Sequence, residues 1–399
     1  MTNIAVLGYG VVGSGTVEVL DINADKISKS AGQDVKLKYI LDVRDFPGSL
    51  YESLFTKDFE TIVNDPDVKV VAEVIGGTGA ALEFTRRCLD AGKSVVTSNK
   101  ELVATHGYEL LKLAAENGVN YLFEASVGGG VPIIRPLSLC LSANRINAIY
   151  GILNGTTNYI LTAMGENGEE FSAALKDAQA KGYAEIDPTA DVDGHDACRK
   201  LCILSSLAWG RHIYPEQVPA EGIRGVTSGD IRFAKQLGYK IKLLGFSRFT
   251  GDKVAAYVAP HLVSRDNLLA GVDGVLNGVV VNGNATGNVT FCGAGAGKMP
   301  TASAVVADII DAVRHSGSGG LMNWEQGGDD TVADTAAVES AWYIRTNASR
   351  ADITRLFGEA AGGVTEGAET AFITGLMSRR AVEEKDRGVT ALSLFRIAT

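Results

Sequence analysis

Proline is scarce in this chain: nine residues in 399, against forty-seven glycines. The backbone must therefore turn mostly at glycine, which suits a fold with many tight turns. Cysteine is sparser still. Cys88, Cys140, Cys198, Cys202 and Cys292 are scattered, and no C-x-x-C pair occurs. Cys198 and Cys202 stand four apart on an apolar helical stretch and read as core thiols rather than ligands or disulfide partners. No apolar run approaches the length of a membrane span, and Met1-Thr2-Asn3 leads straight into an expected strand. Neither a membrane helix nor a signal peptide is expected, and the expected location is cytoplasmic. Positive charge is in deficit: 37 Lys and Arg against 47 Asp and Glu give a net charge of −10. That balance argues against nucleic acid or an anionic membrane as partner. There is no internal repeat. What is present is 46% hydrophobic residues over a length sufficient for two or three domains with substantial cores.

The acids are concentrated in one stretch. Residues 182–200 read GYAEIDPTADVDGHDACRK, with carboxylates at Glu185, Asp187, Asp191, Asp193 and Asp196. The apolar run LCILSSLAW (201–209) follows at once and must be a buried helix. Asp193 is its expected N-cap, with Asp196 beside the positive helix end. Asp196 and Lys200 are four apart, in the favourable acid-before-base order on one helix face. DVDG at 191–194 resembles part of an EF-hand loop, but that register puts Lys200 where the bidentate glutamate must stand. A purely structural ion-pair cluster is the plainer alternative. The functional reading is a pocket whose acids receive an ammonium while a desolvated lysine moves a proton.

In chain order, NIAVL (3–7) reads as a buried strand, followed by Gly8-Tyr9-Gly10-Val11-Val12-Gly13 and a helical VVGSGTVEVL. A G-x-G-x-x-G between a first strand and a helix is a dinucleotide-binding signature: glycine lets the backbone approach a pyrophosphate that the helix N-terminus stabilises. VKLKYIL (35–41) ends in Asp42-Val43-Arg44-Asp45. An acid there suits the ribose of NAD and an arginine the phosphate of NADP, so both remain open, with Arg44 and Lys57 favouring NADP. Strands are expected at 67–77, 94–100 and 119–134, with helices at 81–92 and 101–118. This alternation predicts a doubly wound parallel sheet over residues 1–134, with Thr78, Ser98 and Lys100 at the carboxyl edge facing the ligand crevice. From about 135 to 299 the pattern becomes strand, turn and helix at 143–164, then short alternating β segments, predicting an α+β domain with strands that plausibly pair between subunits. A helix at about 300–315 is expected to return to the nucleotide domain. After the linker-like SGSGG (316–320), the tail reads as a small αβ unit: strand SAWYIRT, helix ADITRLFGEAAG (351–362), strand ALSLFRI.

Taken together, GYGVVGSG, EVIGG, VTSNK, FEASVGGGVPII, GILNGTTNYIL, GYAEIDPTADVDGHDACRK and GAGAGKMPTASAV resemble the homoserine dehydrogenase family, in the family's order, over roughly residues 1–315. The resemblance implies a Rossmann-type domain (residues 1–134), a substrate-binding and dimerisation domain (135–299), and reduction of L-aspartate 4-semialdehyde to L-homoserine, on the route to threonine and methionine. It implies Lys200 as proton donor and acceptor, Lys100 beside the reacting carbon, and Asp196 holding Lys200. Glu185 would receive the substrate ammonium, with Asp191 nearby, Gly182 contributing backbone and Thr156 of the NGTT turn in contact. The cofactor-binding set would be Gly8, Tyr9, Gly10, Val11, Val12, Gly13, Arg44, Lys57, Thr78, Ser98, Lys100 and Gly297, with NADP(H) favoured and NAD(H) possible. A monovalent cation (Na+ or K+) would sit on backbone oxygens of Glu124, Val127, Gly129 and Val131. A homodimer, or a tetramer, is implied. Long members carry a regulatory ACT domain of βαββαβ form. The tail (316–399) lacks that domain's proline-glycine turn and reads as a shortened ACT-like module. With no kinase domain ahead of residue 1, the monofunctional form is expected. Two other readings stay open: a non-catalytic dinucleotide sensor, which would need neither the lysines nor the acids, and a dehydrogenase for another small amino-acid aldehyde.

Overall fold

The structure, a computed structural model, describes residues 1–358 and 363–398. Its first stretch alternates strand and helix: β1 (Thr2–Leu7), α1 (Val11–Ile22), α2 (Ala24–Ala31), β2 (Val35–Leu41), β3 (Phe55–Thr56), α3 (Phe59–Val63), β4 (Val68–Glu73), α4 (Gly79–Asp90), β5 (Ser94–Thr97), α5 (Lys100–Glu116) and β6 (Tyr121–Leu122). The next holds β7 (Ile146–Ile152), α6 (Gly155–Asn167), α7 (Phe171–Ala180), α8 (Thr189–Val192), α9 (His195–Trp209) and α10 (Ser228–Gln236). The strands β8 (Tyr239–Thr250), β9 (Lys253–Ser264), β10 (Leu276–Gly283) and β11 (Gly287–Ala294) lead to α11 (Lys298–Arg314). The tail comprises β12 (Glu339–Ser340), β13 (Trp342–Thr346), α12 (Arg350–Phe357), β14 (Val364–Glu366), β15 (Glu369–Ile373), β16 (Met377–Ser378), α13 (Arg379–Asp386) and β17 (Ala391–Ala398).

Two compact units result. The first takes residues 1–145, 202–215 and 293–328; the second takes 146–201, 216–292 and 329–399. These bounds differ from the three-part division read off the sequence: the SGSGG stretch stays with the first unit, and the tail belongs to the second. In the first unit six parallel strands run in the order β3-β2-β1-β4-β5-β6. The continuous apolar runs of β1, β4 and β5 are buried on both faces, as a sheet covered by helices on each side requires. Strand order reverses between β1 and β4, and ligands bind at the carboxyl ends beside such a switch. α11 packs on α1 and α2 through Val19, Ile27, Ala302 and Val306.

One expected strand is largely missing. The run 119–134 is extended only at Tyr121–Leu122, then turns at Glu124–Ser126. The Glu124 carboxylate accepts the amides of Ile133, Ile134 and Arg135 at 2.7, 2.9 and 2.8 Å, folding the chain back on itself. Gly128 and Gly129, at φ +75° and +54°, make the reversal possible.

The second unit is built on a nine-stranded sheet, β11-β10-β7-β8-β9-β17-β13-β15-β14. The tail departs from the strand–helix–strand reading: it is a complete βαββαβ unit (β13, α12, β14, β15, α13, β17) whose strands order β17-β13-β15-β14. The extra hairpin turns at Gly367 (φ +62°), and α13 is so polar that only Val382 is buried from it. Neither leaves an apolar period to read. Positions 359–362 of the helix expected at 351–362 lie outside the described residues. β17 pairs in parallel with β9 (Arg396 with His261, Ile397 with Leu262, Ala398 with Val263), so the tail extends the nine-stranded sheet. Among the described residues no helix is long and apolar enough to cross a membrane.

Candidate active site

In the first unit the glycine turn has the geometry its spacing implies. Gly8 has φ +98°, and a Cβ on Gly13 would stand 1.9 Å from the Gly8 carbonyl oxygen. Gly10 caps α1 and has nothing within 4 Å of its Cβ position, which leaves the helix end open to a phosphate. Beyond β2, Asp42 accepts the Tyr9 amide at 2.8 Å and the Arg44 amide, Nε and Nη2 at 3.0 Å each. The hydrogen bonds from Arg44 hold its carboxyl well below the usual carboxylate range. Lys57 pairs with Asp45 at 2.8 Å. Both cations line a cavity of about 420 Å³ that also includes Phe46, Glu52 and Phe55. Arg44 therefore reaches this cavity already tied to Asp42.

The carboxyl ends of β4 and β5 carry a residue that sequence reasoning passed over. Glu73 is fully buried; its Oε1 accepts the Ile75 amide (2.8 Å) and the Gly76 amide (3.4 Å), and its Oε2 accepts the Thr97 hydroxyl (2.7 Å). Burial pushes its carboxyl up. The Thr97 hydroxyl accepts the Asn99 amide at 2.9 Å. Asn99 in turn donates to the Gly77 carbonyl at 2.6 Å and caps α5 through Leu102. One carboxylate thus fixes both the 75–77 turn and the turn that starts α5 at Lys100. The acid ending an apolar strand in EVIGG was the available signal. Thr78, Ser98 and Lys100 are half-buried at this edge, and Gly297 (φ +124°) caps α11. Glu124 has its carboxylate fully engaged, so a cation at 124–131 would be held by main-chain oxygens, the donors a hard cation takes. The turn is tight: the Val131 amide donates to the Gly128 carbonyl at 2.8 Å.

In the second unit the acidic stretch folds into two short steps, α8 and the start of α9. Lys200 Nζ donates to Asp196 Oδ2 at 2.7 Å and to the Leu153 carbonyl at 2.9 Å, with side chains only 11% and 6% exposed. Asn154, the N-cap of α6, donates through one Nδ2 to Asp191 at 2.7 Å and to Asp196 at 2.8 Å. Burial, and then the charge of Asp196, raises the Asp191 carboxyl. Asn154 was named only as part of a turn; its role as a bridge between acids 37 and 42 positions away has no local signal. Thr156 donates to the Tyr183 carbonyl at 2.7 Å. Gly182 (φ +75°) and Glu185 lie on an exposed turn, where Gln179 holds the Glu185 carbonyl at 3.0 Å; the Glu185 carboxylate makes no hydrogen bond to the Lys200 cluster. Asp193 is not the helix cap: α9 starts at His195, and the Asp193 carboxylate accepts Arg224 Nε at 2.5 Å. Asp193 instead closes α8 as its C-terminal cap residue.

Two family models divide the chain near where its folding pattern changes. Residues 8–124 match the homoserine dehydrogenase NAD-binding domain, and residues 132–310 match homoserine dehydrogenase. A homoserine dehydrogenase of Neisseria gonorrhoeae is 46% identical over 314 residues, spanning 78% of this chain and 72% of that one. This chain belongs to the homoserine dehydrogenase family. A Pseudomonas aeruginosa homoserine dehydrogenase is 42% identical over 353 residues, 86% of this chain and 81% of its own. The crystal structure of a homoserine dehydrogenase from Thiobacillus denitrificans superposes with a TM-score of 0.90 at 37% identity, covering 100% of this chain and 98% of that one. A hyperthermophilic archaeal homoserine dehydrogenase in complex with NADPH matches at TM-score 0.67 and 31% identity, over 78% of this chain and 97% of that one. The family is one of oxidoreductases, and the first unit is its nicotinamide dinucleotide-binding domain.

Proposed function

We propose that this chain reduces L-aspartate 4-semialdehyde to L-homoserine, with Lys200 moving the proton. The carrying observation is the suspension of Lys200 between Asp196 and the Leu153 carbonyl. An ammonium has three donors; two are spent on these acceptors, and the third serves the substrate oxygen. As that oxygen gains negative charge, Lys200 stabilises it and delivers a proton; in the reverse direction the neutral amine takes the proton back. Asp196 aims Lys200 and is itself held by Asn154. Asp191 and Glu185 receive the substrate ammonium, with Gly182 and Thr156 shaping that turn. The dinucleotide, when bound, supplies the hydride. Lys100, at the carboxyl edge of the parallel sheet, is the second cation, placed beside the cofactor's reacting end.

NADP(H) is the favoured cofactor over NAD(H), through Arg44 and Lys57; Gly8 to Gly13, Thr78, Ser98 and Gly297 complete that set. A monovalent cation bound by the carbonyls of Glu124, Val127, Gly129 and Val131 fits a segment whose side-chain acid is otherwise engaged. The open, largely exposed β11 edge supports a homodimer. The βαββαβ order of the tail supports an ACT-like module.

Lys200→Ala should abolish turnover while NADPH binding, followed by fluorescence titration, stays intact. Wild-type rates in this variant across neutral and alkaline pH would remove Lys200 from proton transfer. L-homoserine should be oxidised and the deaminated 4-hydroxybutyrate rejected, since its binding leaves the acids unpaired.

A further inference from the structure

Asn277 stands near the start of β10, 1% exposed, beside the Lys200 cluster. Its Nδ2 donates to the Leu153 carbonyl at 3.1 Å, the same oxygen that accepts Lys200 Nζ at 2.9 Å. A carbonyl oxygen has two lone pairs, so these two donors fill it. Because a carbonyl only accepts, the amide nitrogen must face Leu153, and Oδ1 has to find a donor elsewhere. That Oδ1 is buried and, among the described residues, has no hydrogen-bond partner. An orphaned buried acceptor destabilises a fold, and a leucine of nearly the same shape would avoid it. Packing alone therefore gives no reason for an amide at 277. The bond to Leu153 does.

The peptide link between Leu153 and Asn154 carries both holds on the Lys200–Asp196 pair. Its carbonyl accepts from Lys200, and the Asn154 side chain donates to Asp196 at 2.8 Å. Asn277 reaches that link from a strand fixed on either side. Asn158 Nδ2 donates to the Leu276 carbonyl at 3.1 Å just before it, and Gly278 pairs with Ile152 of β7 just after it. A Cβ on Gly155 would stand 2.6 Å from the Val275 carbonyl oxygen, so the chain leading into β10 lies close against the first turn of α6.

We propose that Asn277 is a positioning residue for proton transfer: its amide fixes the Leu153 carbonyl, and through it the direction of the third hydrogen of Lys200. The inference rests on the role given to Lys200 above. An ammonium turns about its last carbon–nitrogen bond unless its other donors are engaged. With Asp196 and Leu153 both held, one hydrogen is left aimed at the substrate oxygen. With Leu153 free to tilt, that aim spreads, which lowers the rate and leaves binding alone. As the neutral amine, Lys200 keeps the same two bonds and presents a lone pair in the same direction, so the positioning serves both directions of the reaction.

The test compares Asn277→Leu, which keeps the shape and removes the donor, with Asn277→Asp, whose carboxyl carries a hydrogen for Leu153 only while protonated. Since the orphaned acceptor goes too, the Leu variant should melt at or above the wild-type temperature. Its kcat should nonetheless fall by on the order of tenfold, with KM for L-homoserine and the NADPH dissociation constant within about twofold of wild type. The solvent isotope effect on kcat should rise as proton transfer becomes limiting. At about pH 6, where burial keeps a carboxyl protonated, the Asp variant should be faster than the Leu variant, and it should lose that advantage towards about pH 9. If the Leu variant does not fold, Asn277→Ser, too short to reach Leu153, takes its place. Wild-type kcat in the donorless variant, a loss of rate matched by a loss of melting temperature with an unchanged isotope effect, or an Asp variant no faster at the acid end overturns the proposal. Lys200→Ala with wild-type turnover would place the failure in the role of Lys200 instead; an inactive Lys200→Ala beside an unimpaired Asn277→Leu sinks the positioning role alone.

Discussion

Asn154→Ser separates the two tasks that one amide performs. Serine is as good an N-cap as asparagine, so α6 keeps its cap and the melting temperature should barely move. What disappears is the Nδ2 group that donates to Asp191 at 2.7 Å and to Asp196 at 2.8 Å. Each is a hydrogen bond to a charged group, the kind worth about 1.5–3 kcal/mol. Water entering the space left by the shorter side chain restores part of this. A net loss of about 2–3 kcal/mol in transition-state stabilisation corresponds to roughly 30- to 150-fold in kcat/KM. The pH profile carries the sharper signature. The Asp191 carboxyl is already raised by burial and by Asp196, and removing its donor raises it further. In the role proposed for Asp191 its ionised form binds the substrate ammonium, so activity should hold above its pKa and be lost as pH falls through it. The acid limb of kcat/KM should therefore move to higher pH in the variant. Initial rates of reduced-nicotinamide consumption between pH 5 and 9, roughly the range in which buried carboxyls titrate, measure both effects. An unmoved acid limb, or a loss confined to melting temperature, would refute the view of Asn154 as the bridge between the acids.

Three other outcomes follow from separate parts of the structure. Arg44→Ala should raise KM for NADPH far more than for NADH; equal effects on both would dissociate Arg44 from the 2′-phosphate. Gly13→Ala places a methyl 1.9 Å from the Gly8 carbonyl oxygen, so the turn must open, and NADPH affinity measured by titration should fall by roughly tenfold or more; unchanged affinity contradicts that packing. His261 is buried, with its pKa lowered by that burial from 6.5 to about 4. The unfolded chain therefore takes up a proton that the folded protein refuses, and stability falls as pH drops from about 6.5 towards 4, by about 3 kcal/mol in full. His261→Leu should flatten that part of the melting-temperature profile; an unchanged slope assigns the acid sensitivity elsewhere.

The nucleotide-binding unit was largely legible because its signals are local. A glycine turn lies between strand and helix, and apolar runs have the length of buried strands; in the second unit the one equally local signal was the acid four before a base at Asp196 and Lys200. The failures share one cause. Glu124 ends the run at 119–134 by collecting three amides nine to eleven residues ahead, which no periodicity registers. Asn154 looks ordinary in sequence because its acidic partners arrive from other elements, and of the partners of Glu73 the Thr97 hydroxyl comes from twenty-four residues away. In the tail, α13 has too few apolar residues to announce a helix, and β14 is three residues long. Asp193 was read as a cap of α9 on sound local grounds; it closes α8 instead and pairs with Arg224, thirty-one residues away.

The pairing of β17 with β9 bears on how this chain emerges during synthesis. His261 must wait for Arg396 before the middle of the nine-stranded sheet closes. Earlier segments already pair the far side of β9 at Val258 (Pro219 and Glu221) and at Val254 (Thr331 and Ala333), so what the nascent chain presents until then is the 261–263 end of this twelve-residue apolar strand. Such an edge recruits other chains, and pairings between segments distant in sequence form slowly. The second unit thus completes its sheet only after the tail has left the ribosome, which makes the tail a folding partner. Ribosome-stalled chains released at increasing lengths should stay chaperone-bound and protease-sensitive around residues 261–263 until β17 is exposed.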